Sequence, residues 1–469
     1  MRRIAIIGSG IAGLLTAHGL RRAGYEVTLF SNRTPEQWLR ASRPTGTAGR
    51  FDPAVAYERE LGLAHWEAEA KKVEGVHLTF SPEPGNRLLT LAGRPDKPGM
   101  AIDVRLQSSR WMRDLEERGG KIEIENVTVA RLDEIAGDYN LTIVAAGKAE
   151  LGRLFERDAE RSIYDKPQRQ LAMIVAKGAS FTFPGVPFVP VKFNLFGTIG
   201  EAFWVPYHHF ELGPSWNILF EAKPGGPLDV FQSAKSGQEV LDRAKQLIEK
   251  FMPWDWSWGR DMELADENGW LTGSFAPTVR KPVGRLPSGR VVTSVGDTAM
   301  VMDPIAGQGA NNGTKMARHL VESIKARGER PFDEAWMTDT FDRFYRDHGR
   351  ASYLFSSLLL EPITDAGKEL LIAQYGTDGT RRDAKQAIAD AFVNNFADPR
   401  GITHLLTDLQ AAKAFIEKTT GRSWVRSAVS GRLGIGKQQI RQKLGLAPRH
   451  PMATTKVDSD ALAGSMQPG

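Results

Sequence analysis

The sequence predicts an α/β fold in which a parallel sheet is interrupted by an antiparallel β insert and followed by helices. Three observations predict this fold. Near the N-terminus an apolar strand leads through a glycine turn into a helix. From Leu171 the alternation of strands and helices gives way to long β-type runs, and it returns after residue 275. After Ala351 the pattern is helical to about Lys418.

The first element is the apolar strand before Gly8, followed by a glycine turn and a helix that ends near Ala23. Gly8 permits the tight turn, Gly10 lets a pyrophosphate approach the backbone, and Gly13 allows helix and strand to pack closely. The unpaired N–H groups at the helix start add positive charge for the phosphates. The predicted dinucleotide-binding residues of this segment are Gly8, Ser9, Gly10, Ile11, Ala12 and Gly13.

The second strand, Tyr25 to Phe30, ends in Ser31-Asn32-Arg33. An acidic residue usually holds the adenosine ribose at this point, and this chain has none. We therefore expect Ser31 or Asn32 to bond the ribose and Arg33 to meet a phosphate or stack on adenine. An arginine here also fits NADP, so this strand leaves the choice of nucleotide open.

The second glycine segment decides between the nucleotides. An apolar strand ends in Gly296-Asp297, which places the Asp297 carboxylate to accept from a ribityl hydroxyl of a flavin. The loop from Pro304 to Asn312 then opens the helix Thr314 to Ile324, and aims N–H groups at the edge where a reduced isoalloxazine carries negative charge. The alternative is a glycine turn of any α/β protein, but the two segments together predict a Rossmann-like FAD-binding domain of the aromatic hydroxylase type.

These motifs resemble the epoxidase component of two-component styrene and indole monooxygenases. Further matching stretches are Glu117 to Lys121, Lys166 to Arg169 and Asn394 to Phe396, and the similarity runs from residue 1 to about 418. The positions that fall on the family's flavin-contacting motifs are Gly8, Gly10, Gly13, Arg105, Val127, Gly296, Asp297, Pro304, Gly307, Gln308, Gly309, Ala310 and Asn311. The largest departure is Arg40 to Arg59, which is longer than the family's short loop near the flavin.

The resemblance implies a mechanism as well as a cofactor. Reduced FAD would come from a separate NADH-dependent flavin reductase, react with O₂ to a flavin C4a-hydroperoxide, and epoxidise or hydroxylate a small apolar aromatic such as styrene or indole. The catalytic group is the flavin itself, with the loop of Pro304, Gly307, Gln308 and Gly309 as the protein's candidate contribution. The region Ala145 to Glu150 lacks the Asp-Gly pair by which single-component hydroxylases also serve NADPH.

Two other kinds of function stay open from sequence. A FAD-dependent halogenase or dehydrogenase is disfavoured, because the run Trp254 to Trp258 lacks the Ile-Pro that completes the halogenase motif. We interpret this run as packing at a helix end. A non-catalytic flavin-binding sensor would keep the FAD site and lack the oxygenation.

The motifs and pattern changes divide the chain into five segments. The predicted bounds are 1–165 for the first part of the FAD-binding domain, 166–275 for the β insert that binds substrate, 276–350 for the second FAD-binding part, 351–421 for C-terminal helices and 422–469 for a basic extension with a disordered tail from Pro451.

Composition excludes several classes of site. The chain has no cysteine, so disulfides, thiolate metal sites and cysteinyl-flavin links are excluded. No metal site is expected, and His208-His209 is interpreted as ordinary strand polarity. No apolar run approaches the roughly 18 residues of a membrane span, and strand one begins at once, so no signal peptide and a cytoplasmic location are expected. A homodimer is an open alternative.

The basic charge is concentrated near the C-terminus. Of the 61 Lys and Arg residues eight follow Gly421, whereas only two of the 56 Asp and Glu residues do, so residues 1–421 carry a net charge of −1. Between Arg422 and His450 apolar residues alternate with the charges, as in a broken basic amphipathic helix. We expect a helix packed on the body, with an anionic partner surface as the alternative and no nucleic-acid partner.

Overall fold

The computed structural model describes residues 2–82, 85–147, 149–183 and 185–444. The predicted tail from Pro451 therefore lies outside the described residues. The strands are β1 (Arg3–Ile7), β2 (Glu26–Ser31), β3 (Gly49–Arg50), β4 (Gly75–Phe80), β5 (Leu89–Gly93), β6 (Met100–Ala101), β7 (Lys121–Ile124), β8 (Leu141–Val144), β9 (Gln170–Lys177), β10 (Pro190–Leu195), β11 (Gly200–His209), β12 (Gly213–Ala222), β13 (Glu263–Leu264), β14 (Trp270–Gly273), β15 (Thr278–Val279), β16 (Val283–Arg285), β17 (Val291–Ser294) and β18 (Met300–Val301).

The helices follow the same chain order. They are α1 (Ile11–Arg22), α2 (Pro35–Arg40), α3 (Asp52–Glu60), α4 (Val104–Glu117), α5 (Val129–Asp138), α6 (Ala149–Gly152), α7 (Gly237–Phe251), α8 (Pro253–Gly259), α9 (Gln308–Arg327), α10 (Glu334–Phe344), α11 (Arg350–Leu360), α12 (Asp365–Ala373), α13 (Ala384–Ala397), α14 (Leu409–Thr420) and α15 (Trp424–Lys443).

The first compact unit comprises Met1–Ala68, Ile102–Gln168 and Phe275–Ser357. Its sheet has the order β16-β17-β8-β1-β2-β7. Every pairing is parallel except β16 with β17. In the central strand β1, Ile4 and Ile6 face one hydrophobic cluster and Ala5 and Ile7 face another. Both faces are apolar because helices cover a parallel sheet on both sides.

The second compact unit comprises Glu69–Ala101, Arg169–Ser274 and Leu358–Gly469. Its main sheet has the order β13-β9-β12-β11-β10-β4-β5, with β14 also paired to β9. Antiparallel pairing prevails, and β4 and β10 run parallel. One face packs against α7 and α8 through Trp204, Trp216, Trp254 and Trp258. The Trp254–Trp258 run thus lies in a short core helix.

The C-terminal helices of this unit pack on its edge strand β5. A Cβ added at Gly93 would lie 2.5 Å from the Ala389 carbonyl oxygen, so α13 approaches the strand as closely as glycine permits. The Gln386 side-chain amide donates to the Ala92 carbonyl over 3.0 Å. Helix α15 packs in turn on α12 and α14.

The two units group the predicted segments differently, since the C-terminal helices from Leu358 belong to the same unit as the β insert. Residues Glu69–Ala101, which the sequence pattern kept with 1–165, contribute β4 and β5 to the second sheet. The cause is the non-local pairing of β4 with β10, which short apolar runs do not reveal. Strand β7 ends at Ile124, and Thr128 then caps α5 with its hydroxyl. In the described residues no helix is long and apolar enough to cross a membrane.

Candidate functional site

The N-terminal glycine turn is held by close backbone contacts. A Cβ at Gly13 would lie 2.1 Å from the Gly8 carbonyl oxygen, and one at Gly8 would lie 2.6 Å from the Ala145 carbonyl oxygen. Gly8 also has a φ of +118°, in the region that favours glycine. These two glycines are therefore required by the fold itself, since any side chain would collide with main chain.

Gly10 differs from Gly8 and Gly13 in having space around it. A Cβ at Gly10 would meet no atom within 4 Å, and its φ of −79° suits any residue. Gly10 is the N-cap of α1 and no side chain caps this helix. The space in front of the helix start is thus open, and its first N–H groups are available to an anion.

The second glycine segment lies against the first in the folded chain. A Cβ at Gly296 would lie 2.8 Å from the Ala12 Cβ, and one at Gly313 would lie 3.6 Å from the same atom. The Thr298 hydroxyl donates to the Ala146 carbonyl over 3.0 Å, which joins this segment to the end of β8. Two motifs almost three hundred residues apart therefore form one cradle at the carboxyl ends of the parallel strands, where α/β sheets bind ligands.

Asp297 is accessible on the surface of this cradle. Desolvation by the surrounding protein raises the pKa of its carboxyl group, and the positive charge of Arg280 opposes that rise. Arg280 is fixed by donating to the carbonyls of Asp297 and Thr298 over 3.0 and 3.2 Å. The ionised carboxylate can accept a hydrogen bond from a hydroxyl group that enters the cradle.

The loop before α9 offers a second uncapped helix start. Gly307 is the N-cap with a φ of +59°, and no side chain caps the helix. The turn before it is built by Asp303, which accepts from the Ile305 N–H over 3.2 Å. A Cβ at Gly307 or Gly309 would meet no atom within 4 Å. This loop leaves room for a flat ring against its backbone.

Asn311 holds this loop to the segment that departs from the family pattern. Its side-chain amide donates to the carbonyls of Gly307 and Gly49 over 2.7 and 2.9 Å. Its side-chain oxygen accepts from the Phe51 N–H over 2.9 Å. Since Asn311 is buried, these bonds are shielded from water and fix the position of both segments.

A buried ion pair stiffens the same segment. Arg50 and Glu58 are almost fully buried and contact one another. Burial raises the pKa of the Glu58 carboxyl, and the Arg50 guanidinium counteracts it. Arg50 also donates to the Ala48 carbonyl over 2.6 Å, and Ala48 has a φ of 49°, which is uncommon for a residue with a side chain. The segment from Arg40 to Arg59 is therefore held in a defined conformation next to the loop before α9.

The predicted adenosine end is organised by side chains. The hydroxyls of Ser9 and Ser31 share a 2.7 Å hydrogen bond, and the Trp38 indole N–H donates to Ser9 over 2.9 Å. The Ser31 hydroxyl also donates to the Arg33 carbonyl over 2.6 Å. The Arg33 guanidinium lies 4.8 Å from the centre of the Trp38 ring, and Asn32 is exposed. Ser31 thus shapes the strand end, and Arg33 and Asn32 remain the accessible groups there.

Arg105 and Val127 are the two remaining residues of the predicted cofactor set. Arg105 is buried in the first turn of α4, where its guanidinium donates to both carboxylate oxygens of the N-cap residue Asp103, over 2.8 to 3.2 Å. Val127 is buried in the cluster with Ala5 and Phe30. Val127 therefore packs in the core beside the strands.

The second unit carries the other candidate surface, on the sheet face opposite α7 and α8. Pairing places Phe193 opposite Phe203 and also beside Leu78, and it places Phe203 beside Leu219. The Phe193 and Phe203 rings lie 4.2 Å apart. Val205, Tyr207 and Asn217 follow on the same face. The centre of this face is aromatic or aliphatic, as expected for the lining of a small apolar ligand's site, and the same alternation places the polar side chains of Glu201, Glu221 and Asn217 beside it.

The opposite face of the same strands holds a buried charge pair. Lys192 and Asp255 contact one another, and Asn194 donates to Asp255 over 3.1 Å. The Lys192 ammonium lies 3.7 Å from the centre of the Phe183 ring. Burial and then the Arg87 guanidinium hold the pKa of Lys192 well below its usual value. This pair anchors α8 to the sheet.

The aromatic face was not among the features predicted from the sequence. The period-2 alternation of Glu201, Phe203, Val205 and Tyr207 within β11 could have found it. The register that sets these residues beside β10 and β12 could not be read from one strand. Arg169, in contrast, belongs to a stretch that the resemblance singled out, and it forms a buried two-point ion pair with Glu201 over 2.8 and 3.0 Å.

The cradle of the first unit fits FAD. Gly10, Gly307 and Gly309 leave open space where a Cβ would stand, and α1 and α9 both begin without a side-chain cap. Phosphates and the negative edge of a reduced flavin are the groups that such helix starts stabilise.

Comparison with known proteins agrees with this chemistry. Residues 147–257 match the family model described as "Styrene monooxygenase A putative substrate binding domain", and residues 6–35 match an NAD(P)-binding Rossmann-like domain. Styrene monooxygenase StyA of Pseudomonas fluorescens is 26% identical over 85% of this chain and 93% of its own length. StyA of a Pseudomonas species is 27% identical over the same shares. A flavoprotein/dehydrogenase structure from Cytophaga hutchinsonii covers 88% of this chain and 98% of its own, with 14% identity and a TM-score of 0.60.

The class follows from these findings: the chain is a FAD-dependent monooxygenase with the predicted Rossmann-like fold. More particularly, it is similar to styrene monooxygenase StyA, which confirms the resemblance drawn from the sequence motifs.

Proposed function

We propose that the protein takes up reduced FAD from a separate NADH-dependent flavin reductase and uses O₂ to epoxidise or hydroxylate a small apolar aromatic. The styrene and indole class of substrate follows the similarity to styrene monooxygenase StyA. The observation that carries the proposal is the aromatic face of the second sheet around Phe193 and Phe203.

The chemistry of that face supports an apolar substrate. Phe203 and Leu219 lie on neighbouring strands, and both side chains are at most 8% exposed. The apolar centre of this face favours an aromatic ring, because the ring and the side chains around it are removed from water together. Because electrophilic oxygen transfer requires no acid–base pair, the face needs only to orient the ring and exclude water.

The first unit contributes the cofactor-binding groups. We assign the pyrophosphate to the Gly8–Gly13 turn, a ribityl hydroxyl to Asp297, and the negative edge of the flavin ring to the loop from Gly307 to Asn311. The open space at Gly10 and the two uncapped helix starts support this assignment. FAD, when bound and reduced, supplies the activation of O₂. The chain's own part is to hold the ring, to stabilise its charge with fixed N–H groups and to keep water out.

The separate reductase follows from the residues at the end of β8. Ala145 to Glu150 carries no Asp-Gly pair, and the chain is similar to StyA over most of its length. NADH or NADPH alone should therefore leave bound FAD oxidised, and an added NADH-dependent flavin reductase should restore turnover.

The experiment mixes the protein with chemically reduced FAD, oxygen and styrene or indole, and it quantifies oxygenated product against H₂O₂. Product formation without any nicotinamide is the expected result. A control omits the aromatic, and H₂O₂ should then account for the consumed oxygen. Rapid flavin reduction by NADH alone, or H₂O₂ as the sole product with every small aromatic tested, would overturn the proposal.

A further inference from the structure

Helix α15 has an unusual distribution of large and small side chains. Its inner face, against α12 and α14, consists mostly of small residues, with the longer Gln438 also buried. A Cβ at Gly431 would lie 2.1 Å from the Ile372 carbonyl oxygen, and one at Gly434 would lie 2.4 Å from the Tyr375 ring. Ala428 is also buried on this side. The helix is therefore docked through glycine and alanine at backbone distance, and this close contact fixes which face points outward.

The large apolar residues of this segment lie on the outside. We call Val425, Val429, Leu433, Ile440 and Leu444 the outer stripe; they are 47%, 47%, 59%, 61% and 67% exposed. At 3.6 residues per turn they fall within a sector of about 100°. Ten large apolar side chains are exposed in the part of the chain that the structure describes, and five of them belong to this stripe. Such a concentration marks an interaction surface, because isolated exposed side chains would be scattered.

Basic residues flank the stripe on both sides. Helical spacing places Arg426, Lys437 and Arg441 along one edge and Arg432 and Lys443 along the other. Arg432 contacts Glu369 of α12, and from Arg422 to Leu444 the sequence has no acidic residue. An apolar stripe between two rows of cations is the pattern of a helix that lies in the interface of an anionic membrane.

We propose that α15 is a membrane-surface helix that places the outer stripe among the acyl chains of an anionic bilayer and its cations among the lipid phosphates. Charge complementarity favours this occupant over a second copy of the chain, because two stripes in contact would bring their cations together. The helix lies on the surface of the second unit without spanning a bilayer. The inference does not depend on the proposed substrate.

The test measures co-sedimentation of the full chain with phosphatidylcholine vesicles that do or do not contain about 30% phosphatidylglycerol. We expect binding to the anionic vesicles only, and weaker binding as NaCl rises from about 0.1 M to about 0.5 M. The variant Leu433→Glu/Ile440→Glu should bind at least about tenfold more weakly, because two charges enter the acyl region. The matched control is Ile163→Glu/Leu212→Glu, which changes two apolar side chains exposed elsewhere and should bind like the parent.

Thermal unfolding and FAD binding of each variant show that the fold is intact. Four results would overturn the proposal. They are no binding of the full chain to anionic vesicles, equal binding by the stripe variant, binding only after residues 445–469 are removed, and a loss of self-association or of reductase binding in the stripe variant without an effect on vesicles. The third result would show that the chain's own C-terminal segment covers the stripe, and the fourth would identify a protein partner.

Discussion

The two units of this monooxygenase form their candidate binding surfaces from different groups: the first unit mainly uses backbone, and the second uses side chains. In the first unit the cradle is made of backbone: glycines without side chains, two helix starts and the carbonyls around them. In the second unit the aromatic face is made of side chains such as Phe193 and Phe203, which come together through strand pairing. The first kind of surface binds a fixed cofactor through its phosphates and ring edge. The second can vary one side chain at a time, so substrate choice can change without loss of the cofactor site.

The largest expected effect separates two glycines of the cradle. Gly10→Val should leave the fold intact, since a Cβ there meets no protein atom, but should lower FAD affinity by roughly 100-fold or more because the side chain occupies the pyrophosphate space. Fluorescence titration with FAD and a thermal melt measure the two properties. Stoichiometric FAD in the Gly10 variant would refute the assignment.

The matched variant is Gly13→Val. Its Cβ would stand 2.1 Å from a carbonyl oxygen, so the helix and strand must separate, at a cost of about 3 kcal/mol of unfolding free energy. An unchanged melting temperature in this variant would show that the turn is more adaptable than its geometry indicates.

Two neighbouring residues of β11 provide the next test, because they lie on opposite faces of the sheet. Trp204 packs with Trp216 and Trp258 in the core, so Trp204→Leu should lower the unfolding free energy by about 3 kcal/mol with little change in the preferred substrate. Phe203→Leu should cost less than about 1.5 kcal/mol but raise KM for a small aromatic about fivefold. Denaturant unfolding and steady-state kinetics with two aromatics distinguish them. A raised KM in Trp204→Leu together with an unchanged KM in Phe203→Leu would place the substrate on the other face of the sheet.

The first unit should lose stability in acid because of His18. Burial is the main cause that lowers the pKa of this imidazole from 6.5 to about 4. The neutral ring donates to the Trp111 carbonyl over 2.8 Å and accepts from Arg118 over 3.2 Å. The unfolded chain binds the proton more readily, so stability should be intact above pH ~6.5 and fall by on the order of 3 kcal/mol as the pH drops to ~4.

The His18→Gln variant checks this expectation. A neutral amide can donate and accept in the same two directions, so the fall in stability between about pH 6.5 and 4 should flatten. His404→Gln, at an exposed position, serves as the control and should keep the parent's profile. Parallel pH profiles for parent and His18→Gln would mean that another group governs the acid response.

A further prediction concerns the side-chain hydrogen bonds of Asn311, which clamp the loop before α9 to the Gly49–Phe51 segment. Asn311→Ala removes three hydrogen bonds from a buried site and should cost about 2 kcal/mol. The loosened loop should admit water, so a larger share of the consumed oxygen should appear as H₂O₂ with an unchanged preference among substrates. Asn312→Ala, one residue along the same helix, removes only a long contact to the Met300 sulfur and is the control. Equal H₂O₂ yields from both variants would show that the Asn311 hydrogen bonds do not affect how much oxygen is lost as H₂O₂.

The glycine cradle of the first unit could be predicted from the sequence alone, because it is made of backbone. Gly8 and Gly13 could be recognised because a missing side chain is visible in the sequence, and its consequence, a close approach of main chain, is local. The helix that starts at Ile11 was predicted for the same reason. The contact of the two glycine segments was an inference from chemistry, and it is realised here by the approach of Ala12 to Gly296.

The aromatic face of the second unit could not be predicted in this way, because its side chains come together only when distant strands pair. The partners of Phe203 depend on the register of β11 with β10 and β12, and a shift of one residue would turn Trp204 toward the other face. The same non-local pairing drew β4 and β5 into the second sheet. The exposure of Leu433 and Ile440 was likewise undetermined by the sequence, since the amphipathic pattern alone would favour burying them. Gly431 and Gly434 decide otherwise, because they bring the helix backbone against Ile372 and Tyr375 and leave the apolar residues outside.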